Sequence, residues 1–82
     1  MNVNSMINKS LMILVNKGEF YKYNTFKFYS EQTNRYSTKH QLLHRKLVAS
    51  PRGISERYSE VETSYNNRDI LQYLMKEIKR LG

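Results

Sequence analysis

The most regular hydrophobic pattern in the sequence lies at its C-terminal end. Apolar side chains recur there at the spacing of an amphipathic helix, at Ile70, Tyr73 or Leu74, Ile78 and Leu81. Asn66 or Asn67 is a suitable N-cap, and Asp69 lies in the first turn, where the helix dipole favours an anion. Cationic side chains occupy the last turn, which the dipole also favours. The pattern predicts a helix over residues 67 to 81.

The N-terminal part combines an apolar run with an aromatic segment. The run has no alternation, which favours a strand over residues 10 to 15 that is covered on both faces. A hairpin turn at 16 to 18 would join it to a second, aromatic-rich strand over 20 to 30, with a bulge near Asn24. The alternative is a helix over residues 4 to 16, capped by Asn4 or Ser5 and ended by Gly18. Of the two, we prefer the strand.

The middle of the chain is predicted to run back after a polar turn at 31 to 34. We expect a strand from Arg35 to about residue 40, whereas residues 41 to 49 fit either a strand or a helix. Ser50-Pro51-Arg52-Gly53 is the strongest break in the chain, because proline supplies no backbone donor and glycine permits positive φ. It reads as a loop. In residues 54 to 65, apolar and polar positions then alternate loosely, as expected for an exposed edge strand or an extended arm.

These elements predict a small α+β protein. Its 82 residues are enough for a single domain, residues 1 to 82, and too few for a deep internal cavity, because a chain this short hides only about 60 to 65% of its surface on folding. The architecture we expect is an antiparallel sheet of three to four strands with the C-terminal amphipathic helix packed on one face.

Charge is distributed unevenly along the chain. The net charge is +7, and residues 20 to 52 contain seven basic side chains but only one acidic residue, Glu31. Such a concentration produces a positive surface potential, which attracts nucleic acid, an anionic membrane or an acidic protein. Of these we expect nucleic acid or an acidic protein as the partner, and no membrane. The candidate contacts are Lys22, Lys27, Arg35, Lys39, Arg45, Lys46 and Arg52.

Aromatic residues are interleaved with these cations. Aromatic rings beside cations are typical of sites for single-stranded nucleic acid, since each nucleotide offers a base to stack and a phosphate to neutralise. Aromatic residues in strands are more often part of the core, so only those that share a parity with a solvent-facing lysine are candidates. With Lys27 as that lysine, the candidates for stacking are Tyr21, Tyr23 and Tyr29.

Other classes of function have little support in the sequence. The chain has no cysteine, no glycine-rich phosphate loop and no GxSxG motif, so we expect a protein that is not an enzyme and has no cofactor. His40 and His44 would share a helix face, but two imidazoles without a third ligand are a weak signal, and we expect no metal. The longest apolar run is too short for a membrane span or a signal sequence, which predicts a soluble, cytoplasmic protein.

The order of the predicted elements has a parallel in a known family. KFYSEQTNRYSTKH reads as a basic hairpin, and ETSYNNRDILQYLMKEIKRL reads as a strand that leads into a helix. In topology this resembles the small three-stranded arm-binding domains of phage-type integrases, which place a sheet in the major groove of DNA. The insertion of residues 41 to 65 departs from that pattern.

Two functions fit these features. The leading hypothesis is a non-enzymatic nucleic-acid-binding accessory protein that uses the basic, aromatic-interleaved segment 20 to 52. The alternative is a small interaction protein that binds an acidic host protein or nucleoprotein complex and inhibits or redirects it. The richness in Asn, Lys and Tyr is typical of AT-rich coding, which points to a low-GC bacterium or one of its phages or mobile elements.

Overall fold

The C-terminal helix is present where its pattern predicts it. A computed structural model describes residues 2 to 82 and has a helix at Asn67–Leu81. The side chain of Asn66 caps it by accepting a hydrogen bond from the Arg68 backbone N–H, at 3.0 Å. At the other end the Gly82 N–H donates to the carbonyl of Ile78. Local capping and the apolar stripe therefore determine this helix together.

The N-terminal apolar run is also helical, so the strand and the hairpin turn preferred from the sequence are wrong. Helix α1 spans Val3–Asn16, and Asn2 caps it by accepting from the Ser5 N–H. Ile7 and Leu14 are fully buried, whereas Met12 and Ile13 are exposed, so the run is covered on one side only. Gly18, with φ of 83°, follows the helix and supplies the left-handed residue that often ends one.

Three antiparallel strands follow in a simple meander, which confirms the α+β class. They are β1 at Tyr21–Ser30, β2 at Arg35–Ser50 and β3 at Gly53–Ser64, and β2 lies in the centre. The undecided segment 41 to 49 is therefore strand. With α1 and β1 to β3 defined, the C-terminal helix is α2.

Both connections between the strands are tight. Asn34 takes a positive φ of 53° in the first turn, a conformation that asparagine adopts more readily than most residues. In the second turn Gly53 has φ of 124°, and the Ser50 hydroxyl donates to its carbonyl. The irregularity expected near Asn24 lies in β3 instead. Leu42 pairs with Glu62 and Leu43 with Glu60, which leaves Val61 as the additional residue.

The two helices pack on one face of the sheet, at its centre. The buried core consists of apolar side chains from both helices and one strand residue: Ile7, Leu14, Leu42, Ile70, Leu71 and Leu74. Half-buried Tyr21, Tyr23 and Val61 pack around it. No helix in residues 2 to 82 is long and apolar enough to cross a membrane.

The sheet is longer than the helices that cover it. Residues 46 to 60 are all exposed and form a projecting β2–β3 hairpin, here called the arm. At the opposite end, residues 25 to 36 are exposed except for Ser30 and form a second projection, here called the short hairpin. The longest dimension of the molecule is 50 Å, which matches the roughly 50 Å of a strand as long as β2.

The buried ridge of α2 provides a test of the packing. Leu74 is fully buried and Gln72 is exposed on the same helix. We expect Leu74→Ala to lower the free energy of unfolding by about 2 to 5 kcal/mol, because it removes apolar contacts and leaves a cavity. Gln72→Ala, measured beside it by urea denaturation, should change that free energy by less than about 0.5 kcal/mol. Equal effects would show that α2 does not pack through Leu74.

Candidate nucleic-acid interface

The strand register assigns each side chain to one of two sheet faces. Residues directly opposite each other in an antiparallel pair project from the same face. Tyr23 lies opposite Leu42, which is buried under the helices, so this parity forms the helix-covered face. Phe26 lies opposite Lys39. Lys39 is an odd number of positions from Leu42 in β2, so both side chains project from the other face of the sheet. Their parity forms the other face, which neither helix covers and which is here called the open face.

An aromatic cluster occupies the open face. Phe26, Phe28 and Tyr65 are 49%, 39% and 67% exposed. The rings of Phe28 and Tyr65 meet edge to face, with centroids 6.0 Å apart and planes at 66°. Since Ser64 pairs with His40, Tyr65 follows β3 beside Lys39, whose other neighbour is Phe26. Three exposed rings therefore share one face of the sheet with Lys39, and they are here called the open-face cluster.

Two further cations of the open face lie against aromatic rings. The Arg45 guanidinium carbon lies 3.8 Å from the Phe20 ring centroid, and its Nη1 donates to Glu56 Oε1 at 3.1 Å. Lys22 Nζ lies 5.9 Å from the centroid of Tyr58. Cation–π contacts of this kind hold the cations on the sheet surface. The charge of Arg45 is already balanced by a carboxylate, whereas no carboxylate of residues 2 to 82 lies within salt-bridge distance of Lys22.

The seven predicted phosphate contacts do not form one surface. Lys22, Arg35, Lys39 and Arg45 share the parity of the open face, and Arg35 and Arg45 are about 33 Å apart along β2. Lys27 and Lys46 have the opposite parity and lie in the short hairpin and the arm, beyond the helices. Arg52 lies in the turn at the tip of the arm. Four of the seven cations are therefore brought onto a single face.

The predicted stacking tyrosines are placed differently from the expectation. Tyr21 and Tyr23 have the helix-covered parity and pack on the core, because the parity chosen from the sequence is the one that faces the helices. Tyr29 is exposed in the short hairpin, where its ring tilts against Tyr36 and its hydroxyl donates to Asn34. The three tyrosines thus share no surface on which successive bases could stack.

The rings that do share a surface were not identified from the sequence. Phe26, Phe28 and Tyr65 lie on the parity of Lys39, the opposite of the parity of Lys27. The missing information was which parity the helices cover. The leucines of the central strand do not supply it, because Leu42 and Leu43 are adjacent and project from opposite faces, and only Leu42 is part of the buried core.

Each histidine has a polar neighbour on the helix-covered face. His40 Nδ1 lies 2.6 Å from the Tyr23 hydroxyl, and His44 Nε2 lies 2.7 Å from Glu19 Oε2. The His44 ring also stacks on Tyr21, with centroids 4.6 Å apart. Within residues 2 to 82, no three side chains of the metal-ligating types come together. The His44 contact joins the central strand β2 to the segment that follows α1, and the His40 contact joins β2 to β1.

The half-buried tyrosines beside the core have raised pKa values. Burial, reinforced by the nearby Glu77 carboxylate, raises the pKa of Tyr21 well above its usual value. Burial also raises the pKa of Tyr23 and of Tyr73, whose ring meets Tyr21 edge to face at 6.3 Å. The fold therefore favours the neutral phenol at each position.

Comparison with known proteins gives no relative: no family model matches the chain, and neither curated proteins nor solved structures match it. The three strands followed by a helix that the integrase resemblance implies are present, with α1 preceding them. That resemblance is one of topology alone.

The raised tyrosine pKa values predict a loss of stability at alkaline pH. The contribution of Tyr21 is fully present below its unfolded pKa of about 10. It is lost as pH rises toward the higher pKa of the folded state, because the unfolded chain releases the proton first. We expect the urea midpoint to fall above about pH 10, and Tyr21→Phe to reduce that fall. Tyr36→Phe, at an exposed ring, should leave it unchanged. An equal fall in the parent and in Tyr21→Phe would contradict this assignment.

Proposed function

We propose that the protein is a non-enzymatic accessory protein that binds single-stranded nucleic acid on the open face of its sheet. The observation that carries the proposal is the open-face cluster, in which Phe26, Phe28 and Tyr65 are exposed on the same face as Lys39. Apolar rings exposed together are unfavourable in water unless a partner covers them. Unpaired bases are suitable partners, since each has a face that stacks on a ring.

The aromatic cluster favours a single strand over a duplex. Bases in a duplex are already stacked on each other, so a flat surface of exposed rings gains little from them. In a single strand the bases are free to turn outward and stack on aromatic side chains, while the backbone follows the cations. The cluster is also independent of base identity, which fits an accessory protein without sequence specificity.

The acidic residues of the open face indicate where the strand would run. Glu60 and Glu56 both belong to β3, where they lie opposite Leu43 and Leu47. Phosphates would be repelled from that part of the sheet. A strand that crosses β1 and β2 instead meets Lys22, Lys39 and Arg35 together with Phe26 and Phe28, and it avoids both carboxylates. Binding to nucleic acid would also be consistent with a cytoplasmic protein of a phage or mobile element.

Stacking is tested by removing one ring at a time. Phe26→Ala and Phe28→Ala should each weaken binding of a short labelled single strand by about 5- to 150-fold, the value of one lost stacking contact of 1 to 3 kcal/mol. Tyr36→Ala removes a ring that is more exposed than either phenylalanine and has the other parity, and it should leave affinity unchanged. Fluorescence anisotropy measures the affinity of all three variants for the strand. A duplex of the same sequence should bind more weakly than the single strand. Equal losses in all three variants would show that the rings do not form a site.

The charge contribution is tested by the salt dependence of binding. Three phosphate contacts give a slope of log K against log salt of about −2 for a single strand. Replacing Arg35 and Lys39 by Gln should flatten that slope by about 1.4, from 0.7 for each contact. Changing Lys76 and Lys79 to Gln removes the same charge from α2 and should leave the slope as in the parent.

The same measurement distinguishes the two functions expected from the sequence. If both double variants flatten the slope equally, binding responds to net charge alone and the open face has no special role. If the parent protein binds neither RNA nor DNA at about 50 mM salt, where such contacts are strong, the proposal fails. The alternative of an acidic protein partner then takes its place.

A further inference from the structure

An apolar groove runs between the two helices, on the side that faces away from the sheet. Its volume is about 580 Å³, and all the residues that line it belong to α1 and α2. Met6 and Ile13 form one wall, and Met75 and Ile78 form the other. The Ser10 hydroxyl beside them donates to the Met6 carbonyl at 2.8 Å, so it offers no free donor to the groove. The interior therefore suits apolar side chains.

Three apolar side chains of the groove are exposed to solvent and lie outside the buried core. Met75 is 53% exposed, and Met6 and Ile13 are each exposed by more than a third. Helix surfaces turned to solvent normally present polar residues, so an apolar stripe there indicates a binding surface. Methionine suits such a surface, because its unbranched, polarisable side chain adapts to partners of different shape.

The rim of the groove carries only positive charge. Lys9 lies on the α1 side, and Lys76 and Lys79 lie on the α2 side. In the described part of the chain, none of the three is within salt-bridge distance of a carboxylate, and Glu77, the neighbour of Lys76 in sequence, pairs with Arg80. The groove is thus apolar inside and cationic at its edges.

The positive rim and the open shape favour one kind of ligand over the others that an apolar groove could bind. A second copy of the chain would bring its own three lysines against these, and like charges in contact are repulsive. A small apolar ligand would remain largely in water, since the groove is open along its length and binding sites for such ligands enclose most of their surface. An amphipathic helix with acidic flanks would attract the lysines instead of repelling them, and it is long enough to cover an open groove.

We propose that the groove binds an amphipathic helix of an acidic partner protein. Apolar side chains at positions i, i+3 or i+4, and i+7 of that helix would enter between α1 and α2. Carboxylates on either side of them would pair with Lys9, Lys76 and Lys79. Helices as long as α1 and α2 extend about 21 Å, which accommodates roughly four turns of a partner helix. The helix pair separates this groove from the open face, so the inference does not depend on nucleic-acid binding.

The test uses two model peptides with the same helical leucine pattern, one flanked by glutamates and the other by lysines. The acidic peptide should bind the 82-residue protein, with NMR shifts concentrated on α1 and α2, and the basic peptide should not bind. Met75→Glu should weaken binding of the acidic peptide by about 10-fold or more, because it places a carboxylate on the apolar wall that the peptide's leucines would cover, and an unpaired buried charge is unfavourable. Met12→Glu introduces the same change at an exposed α1 position outside the groove and should have little effect.

A charge-reversal variant makes the test specific to the rim. Changing Lys76 and Lys79 to Glu should reverse the preference, so that the basic peptide binds better than the acidic one. The same two changes at Lys27 and Lys46, on the sheet, should leave the preference for the acidic peptide intact. Circular dichroism confirms that each variant is folded.

Three outcomes would overturn the proposal. The first is equal binding of both peptides, or a preference that both double variants alter alike. The second is self-association of the parent protein in sedimentation, abolished by Met75→Glu, which would assign the groove to a second copy. The third is binding to phosphatidylserine vesicles, but not to the acidic peptide, that is lost in Met75→Glu. That result would assign the groove to a lipid surface.

Discussion

The contact between Leu42 and the helix pair is the interaction on which the rest of the structure depends. Among residues 2 to 82, Leu42 is the only strand side chain in the buried core, and the other members come from α1 and α2. The two helices form a layer that is apolar toward the sheet, and Leu42 is the central point at which the sheet meets it. Half-buried Tyr21, Tyr23 and Val61 extend the contact on either side.

This contact also decides which side chains are available for binding. Because side chains alternate along a strand, burial of Leu42 fixes the face of every residue that pairs in register with β2. Phe26 and Lys39 are thereby placed on the open face, while Tyr23 is placed inside. A core with so few members covers only the centre of the sheet, so the arm and the short hairpin remain in solvent. The exposed rings and the projections follow from the same small core.

The sequence determines some parts of this fold locally and others only through tertiary contacts. Helix α2 is predictable because its caps, its charges and its apolar stripe all agree, and β1 is predictable from its aromatic content. The run in α1 misleads because Leu11 to Val15 is apolar all round, although only Leu14 is fully buried. Local pattern cannot reveal that Met12 and Ile13 are exposed, because this depends on where α2 packs.

The candidate site shows the same division between local and tertiary information. The concentration of charge in residues 20 to 52 is visible in the sequence, and four of those cations do share the open face. The stacking residues are not visible, because their assignment requires the parity that the helices cover. If the wrong parity is assigned to the exposed face, Tyr21 and Tyr23 are selected as stacking residues in place of Phe26 and Phe28. Tyr65 lies beyond the end of β3, and its position beside Phe28 follows only from the strand register.

The small core has a thermodynamic consequence for both proposed surfaces. A domain that buries few side chains has a small free energy of unfolding, and any ligand that binds only the folded state adds to it. The open-face cluster and the helix groove lie on opposite sides of the helix–sheet contact, so each ligand would stabilise that contact without competing for the other's site. Their effects on unfolding should therefore be additive unless Leu42 and its neighbours repack on binding. Coupling between the two ligands would then indicate that this one contact transmits changes between the layers.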